Sequence, residues 1–320
     1  MNKIIRIFLL AVLLVSAGCQ RKHLEDPHEH YNLIIKAHFD SLGRAQLLSN
    51  KSDYAAPGTP ATTKYALYNS FTKKLAYSGS FKGLQGGLYA QEGLYDLLVY
   101  TSDFNELDAN FFRGMDNYST AETYTRQSSI DQQSRNDVVE MNMVEPDPTF
   151  AVLQQEVVVI NGYEDNFVEV EFVQKSFKYY LTIRARGLQN IHTAKMNISG
   201  MYTTAFLASD EHRMNESGTQ TVDLEIRRQP TPEDIGKGEL YGEFWSFGPN
   251  QREDIENSIV LYFVNGDVIV MKLNDLTPQI KKLTKGGEII VEEELEIKGP
   301  AGGFQPGVGD WNDTNVDLIM

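Results

Sequence analysis

The sequence predicts an all-β protein made of two tandem antiparallel β-sandwich domains. Short runs of strand length, rich in β-branched and aromatic residues, recur along the chain with turn-forming residues between them. Helical periodicity is absent at length, and residues 130–139 are a weak exception. A chain of 320 residues is long enough to bury two cores of ordinary size.

The individual strands follow from local patterns. Residues 167–172 and 222–226 alternate apolar and polar side chains, so each segment turns one face inward and one to water. Asn265-Gly266 predicts a two-residue hairpin turn, because both residues tolerate positive φ. A last strand is predicted over residues 288–297. The remaining strand-length runs are residues 33–39, 65–68, 94–100, 157–160, 179–185, 259–264 and 268–271.

The stretch whose composition is most typical of a boundary between the two domains is the polar, proline-marked Glu145-Pro146-Asp147-Pro148. One more strand, residues 157–160, precedes Asn161-Gly162, so we expect the divide near residue 160. The expected organisation is a leader (1–18), a tether (19–30), two sandwiches (31–160 and 161–298), and a glycine-rich hinge with a terminal strand (299–320).

The N-terminus has the order of a bacterial lipoprotein signal. Lys3 and Arg6 supply positive charge, residues 4–15 are apolar apart from Arg6, and Ser16-Ala17-Gly18 are the small residues that a signal peptidase requires. Cys19, the single cysteine of the chain, follows directly. This order favours cleavage before Cys19 and lipid on its thiol over an ordinary secretory leader. A membrane-spanning helix is not favoured, because it would need about 20 apolar residues and this run is shorter.

A lipid on Cys19 is physically sufficient as an anchor. Each buried methylene contributes about 0.8 kcal/mol, and two or more acyl chains hold stably. Gln20 stands after the cysteine where Asp would signal inner-membrane retention, by analogy with the enterobacterial sorting rule. We therefore expect a protein anchored in the outer membrane.

The composition is acidic, with 29 Lys and Arg against 44 Asp and Glu. Removal of the leader takes away Lys3 and Arg6, which leaves 27 against 44 and a net charge of −17. Such a body is a poor nucleic-acid binder, because neutralising phosphates needs surplus cations. It should also be repelled by an anionic surface.

Catalytic and metal-binding motifs are not evident. The tether holds imidazoles and carboxylates, which are natural zinc ligands, but it offers nothing to orient them, so a solvated linker is favoured. These residues are His23, Glu25, Asp26, His28, Glu29 and His30. Asp310, Asn312 and Thr314 have the spacing of a calcium loop, but Asn315 stands where glycine is required. We expect no enzyme, no cofactor and no metal site.

The C-terminus combines a flexible segment with a strand pattern. Glycine and proline dominate residues 299–309, Trp311 follows, and Val316, Leu318 and Met320 alternate with other residues. The tail either docks on its own domain or completes the sheet of another molecule as a donor strand. Its 22 residues could extend about 70 Å at ~3.3 Å each, so reach allows both.

Several of these segments together resemble a known group of proteins. Cys19 with a basic pair and Leu24-Glu25-Asp26-Pro27, residues 179–188, the Ser199-Gly200-Met201 turn, and Gly302-Gly303-Phe304 with Trp311 are similar to fimbria-associated lipoproteins of Bacteroidales. The resemblance implies transthyretin-like sandwiches, fimbrial subunits as partners, and a role as anchor or accessory subunit. Such fimbriae polymerise by inserting a strand of one subunit into another. For an anchor, we expect residues 33–39 to stay attached, without cleavage after Arg44.

A second interpretation is a surface lipoprotein that captures glycans or host ligands. Tyr241, Phe244 and Trp245 lie close together in the sequence, and aromatic rings can stack on sugars. Aromatic residues within a strand are, however, more often part of a core.

Overall fold

The computed structural model describes residues 31–39, 60–103, 110–125, 142–160, 166–213, 216–228 and 236–297. These residues are almost entirely β-strand, which confirms the all-β prediction. A 3-10 helix spans Leu188–Asn190, and a short α-helix, α1, spans Thr277–Ile280. The strands are β1 (Leu33–Phe39), β2 (Thr62–Asn69), β3 (Leu75–Lys82), β4 (Gln85–Leu88), β5 (Gly93–Asp103), β6 (Asn110–Arg113), β7 (Glu122–Thr125), β8 (Asn142–Met143), β9 (Phe150–Val159), β10 (Asn166–Gln174), β11 (Phe177–Arg186), β12 (Ile191–Tyr202), β13 (Thr204–Phe206), β14 (Ser217–Arg228), β15 (Lys237–Ser246), β16 (Asn257–Phe263), β17 (Val268–Lys272) and β18 (Gly287–Glu296).

The N-terminal strands follow the order β3-β2-β5-β9-β10-β1-β4. β3 and β4 stand at opposite ends of this order, yet only two residues, 83 and 84, connect them in the chain. The sheet must therefore fold over on itself, because two residues cannot span the width of a flat sheet. The resulting sandwich encloses one apolar core, whose members include Leu33, Ile35, Leu67, Leu97, Val99, Phe150, Val170 and Phe172.

The C-terminal strands follow the order β17-β16-β12-β14-β15-β11-β18. Their core includes Tyr179, Leu181, Ile183, Met196, Ile198, Leu240, Phe244, Ile259 and Ile289. Most strand pairs are antiparallel, as the sequence predicts. Three described pairs are parallel: β1 with β10, β11 with β18, and β8 with β14.

β10 belongs with the N-terminal strands. It pairs with β1 along its length and with the end of β9, and its Val170 and Phe172 lie in the N-terminal core. We therefore propose that the divide between the sandwiches follows Gln174, later than the boundary near residue 160 that the sequence suggests. Glu145-Pro146-Asp147-Pro148 instead connects β8, which pairs in the C-terminal sheet, to β9 in the N-terminal one.

A third, small sheet joins the two parts of the chain. Its order is β13-β7-β6, so a strand that follows β12 pairs with strands from the N-terminal part. The fully buried Glu122 carboxylate of β7 accepts a hydrogen bond from Arg213 Nε at 2.6 Å and another from Arg113 Nε. Separating a buried carboxylate from the two arginines that bind it is costly. This network therefore stabilises the junction at the small sheet.

Two local predictions need correction. The β16–β17 hairpin has a three-residue loop, because Phe263 and Asp267 still share a backbone hydrogen bond and Gly266 N–H donates to Phe263 O at 3.0 Å. Gly266 has φ +91°, which fits a type I turn followed by a left-handed residue. The Ser199-Gly200-Met201 segment is a bulge inside β12, with Gly200 at φ +67°, and the strand continues beyond it.

The connection before β9 carries an acidic group with a perturbed pKa. Glu145 Oε1 accepts a hydrogen bond from Trp245 N–H of β15 at 2.8 Å. Loss of solvent around the carboxyl group, together with the nearby Asp147 and Glu243 carboxylates, raises the pKa of Glu145 to about 7 against the opposing effects of Trp245 N–H and Lys178. The folded protein therefore holds this proton more tightly than the unfolded chain does.

This perturbed pKa predicts a pH-dependent stability. The contribution of Glu145 is fully present below its ordinary pKa of 4.5 and is lost as the pH rises to about 7. We expect Glu145→Gln, which keeps an acceptor for Trp245 N–H, to melt about a degree higher than the parent at pH 8 and equally at pH 4, because Glu145 as a whole is exposed and solvent screens the effect. Thermal unfolding at both pH values checks this, with Glu256→Gln, an exposed glutamate outside this group of carboxylates, as control. An equal effect of the two substitutions at pH 8 would contradict it.

Candidate functional site

The first strand, β1, is an internal strand of the N-terminal sandwich. It pairs with β10 in parallel over all seven of its residues and with β4 in antiparallel over four. Leu33, Ile35 and Ala37 point into the core and are buried, whereas Lys36 and His38 are exposed. Every second side chain of β1 therefore fills a position in the core, and the prediction that residues 33–39 form a strand is confirmed.

Asn32 clamps the start of β1. Its side chain forms two hydrogen bonds with the backbone of Ala90, as donor at 2.6 Å and as acceptor at 2.9 Å. On the other flank, Asn166 donates to Asn32 O from its backbone N–H at 3.2 Å and from its side-chain amide at 2.7 Å. Both neighbouring chain segments are thus bound to the residue at which the strand begins.

Aromatic packing holds the other end of β1. The Phe39 ring meets the Phe150 ring edge to face at 4.8 Å and stacks on the Phe172 ring at 5.3 Å. Rings in these arrangements contribute about 0.5–1.5 kcal/mol beyond the burial of their area. Between the two ends, Lys36 Nζ lies 2.8 Å from Glu169 Oε1 on the exposed face, where an ion pair contributes little.

The two asparagines that bind the start of β1 carry only a weak signal in the sequence, and their role was not predicted. Asn32 directly precedes an alternating segment, and Asn166 likewise begins β10, so an asparagine at the start of a strand was the signal that could have found them. Cys19, Arg44, Trp311, Val316, Leu318 and Met320 lie outside the described residues, and their predicted roles stay predictions.

The sheet opens between β9 and β10. These strands pair only at Phe150 with Gln174 and Ala151 with Val173, and a cleft of about 400 Å³ separates them elsewhere. Its walls are residues 154, 156–158 and 166–169. A bulge in β9 lies beside the cleft, with Glu156 at φ +59°. Bulges bend a strand, which explains the divergence of the two strands.

Asp96 holds this bulge from the adjacent strand β5. Its buried carboxylate accepts hydrogen bonds from Glu156 N–H at 3.2 Å, Ser70 Oγ at 3.0 Å and Lys73 Nζ at 2.9 Å. Burial by itself favours the neutral acid, but Lys73, the backbone N–H and Ser70 together outweigh it and lower the pKa of Asp96. The carboxylate therefore stays ionised and keeps the bulge in place.

The aromatic residues proposed for sugar stacking are not exposed for it. Phe244 and Trp245 are buried, and Phe244 stacks on Tyr179 inside the C-terminal core. The Arg227 guanidinium covers the ring of Tyr241 at 3.5 Å. This part of the glycan interpretation is wrong, because the strand turns these rings toward the core or under a cation.

A cavity of about 300 Å³ lies where β10 leads into β11. Lys175 Nζ, itself buried, donates to Ser209 O at 2.8 Å and lies 3.1 Å from Asp210 Oδ1. The His212 ring stacks on the Tyr202 ring at 4.3 Å. Burial lowers the pKa of both Lys175 and His212. Phe177, Ala205 and Phe247 complete the apolar lining.

Metal and membrane signatures are absent from the described part of the chain. Among those residues, no group of three or more His, Cys, Asp or Glu side chains is placed to hold a metal ion. No helix in the same residues is long and apolar enough to cross a membrane.

Comparison with known proteins places the chain in a family and a fold. The family described as "Domain of unknown function (DUF5119)" matches residues 57–223, slightly more than half of the chain. A solved structure of a presumed adhesin from Bacteroides ovatus ATCC 8483 is 15% identical, covers 89% of this chain and 99% of its own, and has a TM-score of 0.56. This similarity shows a shared fold.

A more distant structure is the fimbrial anchor protein Mfa2 from Porphyromonas gingivalis. It is 10% identical, covers 81% of this chain and 89% of its own, and has a TM-score of 0.43. No curated protein sequence matches the chain.

Proposed function

We propose that this chain, which belongs to the DUF5119 family, is a lipid-anchored protein of the outer-membrane surface that serves fimbriae as an anchor or accessory subunit. The observation that carries the proposal is the fixation of β1 between β10 and β4. Thirteen residues separate Cys19 from Leu33, so the predicted lipid site is joined directly to a strand of the core. The role is non-enzymatic and involves no nucleic acid.

The arrangement suits a protein that is pulled from outside. When the body is pulled along the axis of β1, the hydrogen bonds to β10 and β4 are loaded together and do not open one at a time. Asn32 is the residue at which the tether reaches the sheet, and it is hydrogen-bonded to Ala90 on one side and to Asn166 on the other. A subunit that lost β1 would lose the connection between its lipid and its body.

The fold also supports a surface role. The Bacteroides ovatus protein that shares the fold is named as a presumed adhesin, and adhesion requires exposure at the cell surface. Fimbrial subunits are the proposed protein partners, and the C-terminal tail with Trp311, Val316, Leu318 and Met320 is the proposed donor strand.

Truncation after Gly309 tests the assembly role. We expect the melting temperature to stay within a few degrees of the parent while co-purification with fimbrial subunits falls. The physical reason is that Val316, Leu318 and Met320 would contribute about 1.5–3 kcal/mol each in a partner, before ordering costs. Mass spectrometry of material purified from cells measures the partners.

A matched variant of full length tests whether partner binding depends on the apolar face of the tail. Asn315→Ser with Asp317→Ser alters the opposite face of the same alternation and should keep partner binding. If truncation lowers the melting temperature sharply and partner binding survives, the tail is a docked strand of its own domain. The donor-strand role would then be excluded.

A second candidate function, capture of a small glycan, has one observation in its favour. The cavity beside Lys175 is lined by apolar side chains together with several hydrogen-bonding groups, as sites for small molecules often are. Binding of a free sugar that Asp210→Ala abolishes, with the fold intact, would favour this function. The Asp210 side chain is 74% exposed, but it is the ion-pair partner of buried Lys175, so thermal unfolding of the variant is compared with the parent before its sugar binding is interpreted.

A further inference from the structure

One end of the N-terminal sandwich exposes large apolar side chains from five separate segments. Phe71, in the turn after β2, is 82% exposed, and Phe167, at the start of β10, is 68% exposed. We refer to the whole set as the apolar end, defined by Tyr31, Phe71, Tyr89, Val158, Ile160 and Phe167.

Backbone pairing shows that these segments meet at the same end. Leu33 of β1 pairs with Leu88 of β4 and with Asn166 of β10, which brings the starting point of β1 beside Tyr89 and Phe167. The Asn166 side chain donates to Ile160 O at 3.2 Å. The turn with Phe71 joins them through β5, since Ser70 N–H donates to Leu94 O at 3.1 Å and Leu94 pairs with Val158.

Such clustering is unusual for a surface exposed only to water. Isolated apolar residues are common on protein surfaces, but a concentration of them at one place marks an interaction site. Glycine contributes to the arrangement at one position, because a Cβ on Gly87 would clash with the ring of Tyr31. The Tyr31 ring therefore lies across β4 and remains about half exposed.

The tether indicates what covers this end. Eleven residues separate Cys19 from Tyr31, and they span at most about 36 Å at ~3.3 Å each. A lipid on Cys19 would hold the apolar end, and not the C-terminal sandwich, close to the bilayer. Tyrosine suits the boundary between headgroups and acyl chains because its ring has a polar end, and phenylalanine is one of the apolar residues that interfacial segments bury there.

We propose that the apolar end rests in the interfacial region of the membrane that the lipid on Cys19 enters. This inference depends on the lipid anchoring proposed above. The contact is apolar in character, because the chain is acidic overall and Glu92, Glu156 and Glu169 are exposed near this end. Lys74 is exposed in the same turn as Phe71 and offers a cation to a lipid phosphate. The contact orients the body, with the C-terminal sandwich away from the surface.

A depth measurement on the lipidated full-length protein tests this orientation. With Cys19 acylated, Phe71→Cys introduces one free thiol for a fluorescent label, and Val264→Cys does the same in the β16–β17 turn of the C-terminal sandwich. Val264 is 74% exposed, so the two sites are matched in accessibility. In phosphatidylcholine vesicles with a lipid-attached quencher, we expect quenching at 71 to exceed quenching at 264 by about threefold or more. Because the contact is apolar, about 0.5 M NaCl should not change the ratio.

A second variant tests whether the apolar side chains cause the contact. With the label on Phe167→Cys, Tyr89→Ser together with Val158→Ser should reduce quenching by about half, because fewer apolar groups hold the end in the interface. Val264→Ser in the same background is the control and should leave it unchanged.

The outcomes separate this inference from the proposed function. Equal quenching at positions 71 and 264 in protein that floats with the vesicles would overturn the inference and leave the anchor intact. A label at 71 that is shielded only after fimbrial subunits are added would identify a protein interface and also overturn it. Protein that fails to float would overturn both, because neither the lipid nor the apolar end would hold the membrane.

Discussion

Cys19→Ala is expected to move the protein almost completely from the membrane fraction to the soluble fraction, without unfolding it. Acyl chains of ordinary length hold stably when two or more are attached, and the apolar end alone supplies much less buried area. Since lipid on Cys19 contributes nothing to either core, the melting temperature of the released protein should equal that of the parent. Fractionation with a salt wash, followed by thermal unfolding, measures both quantities.

A nearby substitution provides the control. Gln20→Ser changes the residue after the predicted cleavage site but keeps the thiol, so the variant should stay in the membrane fraction. If Cys19→Ala protein remains in the washed membrane pellet, another attachment exists. Lipidation at Cys19 would then not account for the anchoring.

Phe39→Ala is expected to destabilise the protein by about 3 kcal/mol, because large-to-small changes of packed aromatic residues remove both contacts and filled volume. The Phe39 ring contacts Phe150 and Phe172, which are themselves buried, so the loss opens the end of β1. For a unit of the size of the N-terminal sandwich the melting temperature should fall by about 6–12 °C. Trypsin should also cleave at Lys36 faster than in the parent, since the strand that shields this bond is loosened.

Phe167→Ala is the matched control for this prediction. It removes the same side chain from the neighbouring strand β10, but there the ring is exposed and touches little. Its effect should stay within about 0.5 kcal/mol, as for most surface substitutions. If both substitutions lower the melting temperature equally, the aromatic cluster does not fix β1 and its role in the anchor must be reconsidered.

Strand positions were predictable where one face of a strand is buried. β1 and the final strand β18 were located within one residue at each end, because each is a strand-length segment that contains β-branched residues. β3 was not predicted. The strand LAYSGSFK is largely exposed on both faces, so burial does not impose an alternating pattern of apolar and polar residues on its sequence. β6, β7 and β13 are too short for a period to be recognised.

The site was predictable only in part. Residues 33–39 were identified as a strand that stays paired, but the partners were not, because parallel pairing of β1 with β10 joins segments more than 130 residues apart. Asn32 and Phe39 acquire their roles from Ala90, Asn166, Phe150 and Phe172, which come near only in the folded chain.

The sequence by itself determined the all-β class, the acidic charge and the position of most long strands, because these depend on composition and on a local period of two. Only the tertiary structure decided that β10 belongs with β1, that Phe244 and Trp245 lie in the core, and that six exposed apolar residues meet at one end. Each of these is set by contacts between distant segments. A local pattern specifies which face of a strand is apolar, but it cannot specify what that face will meet.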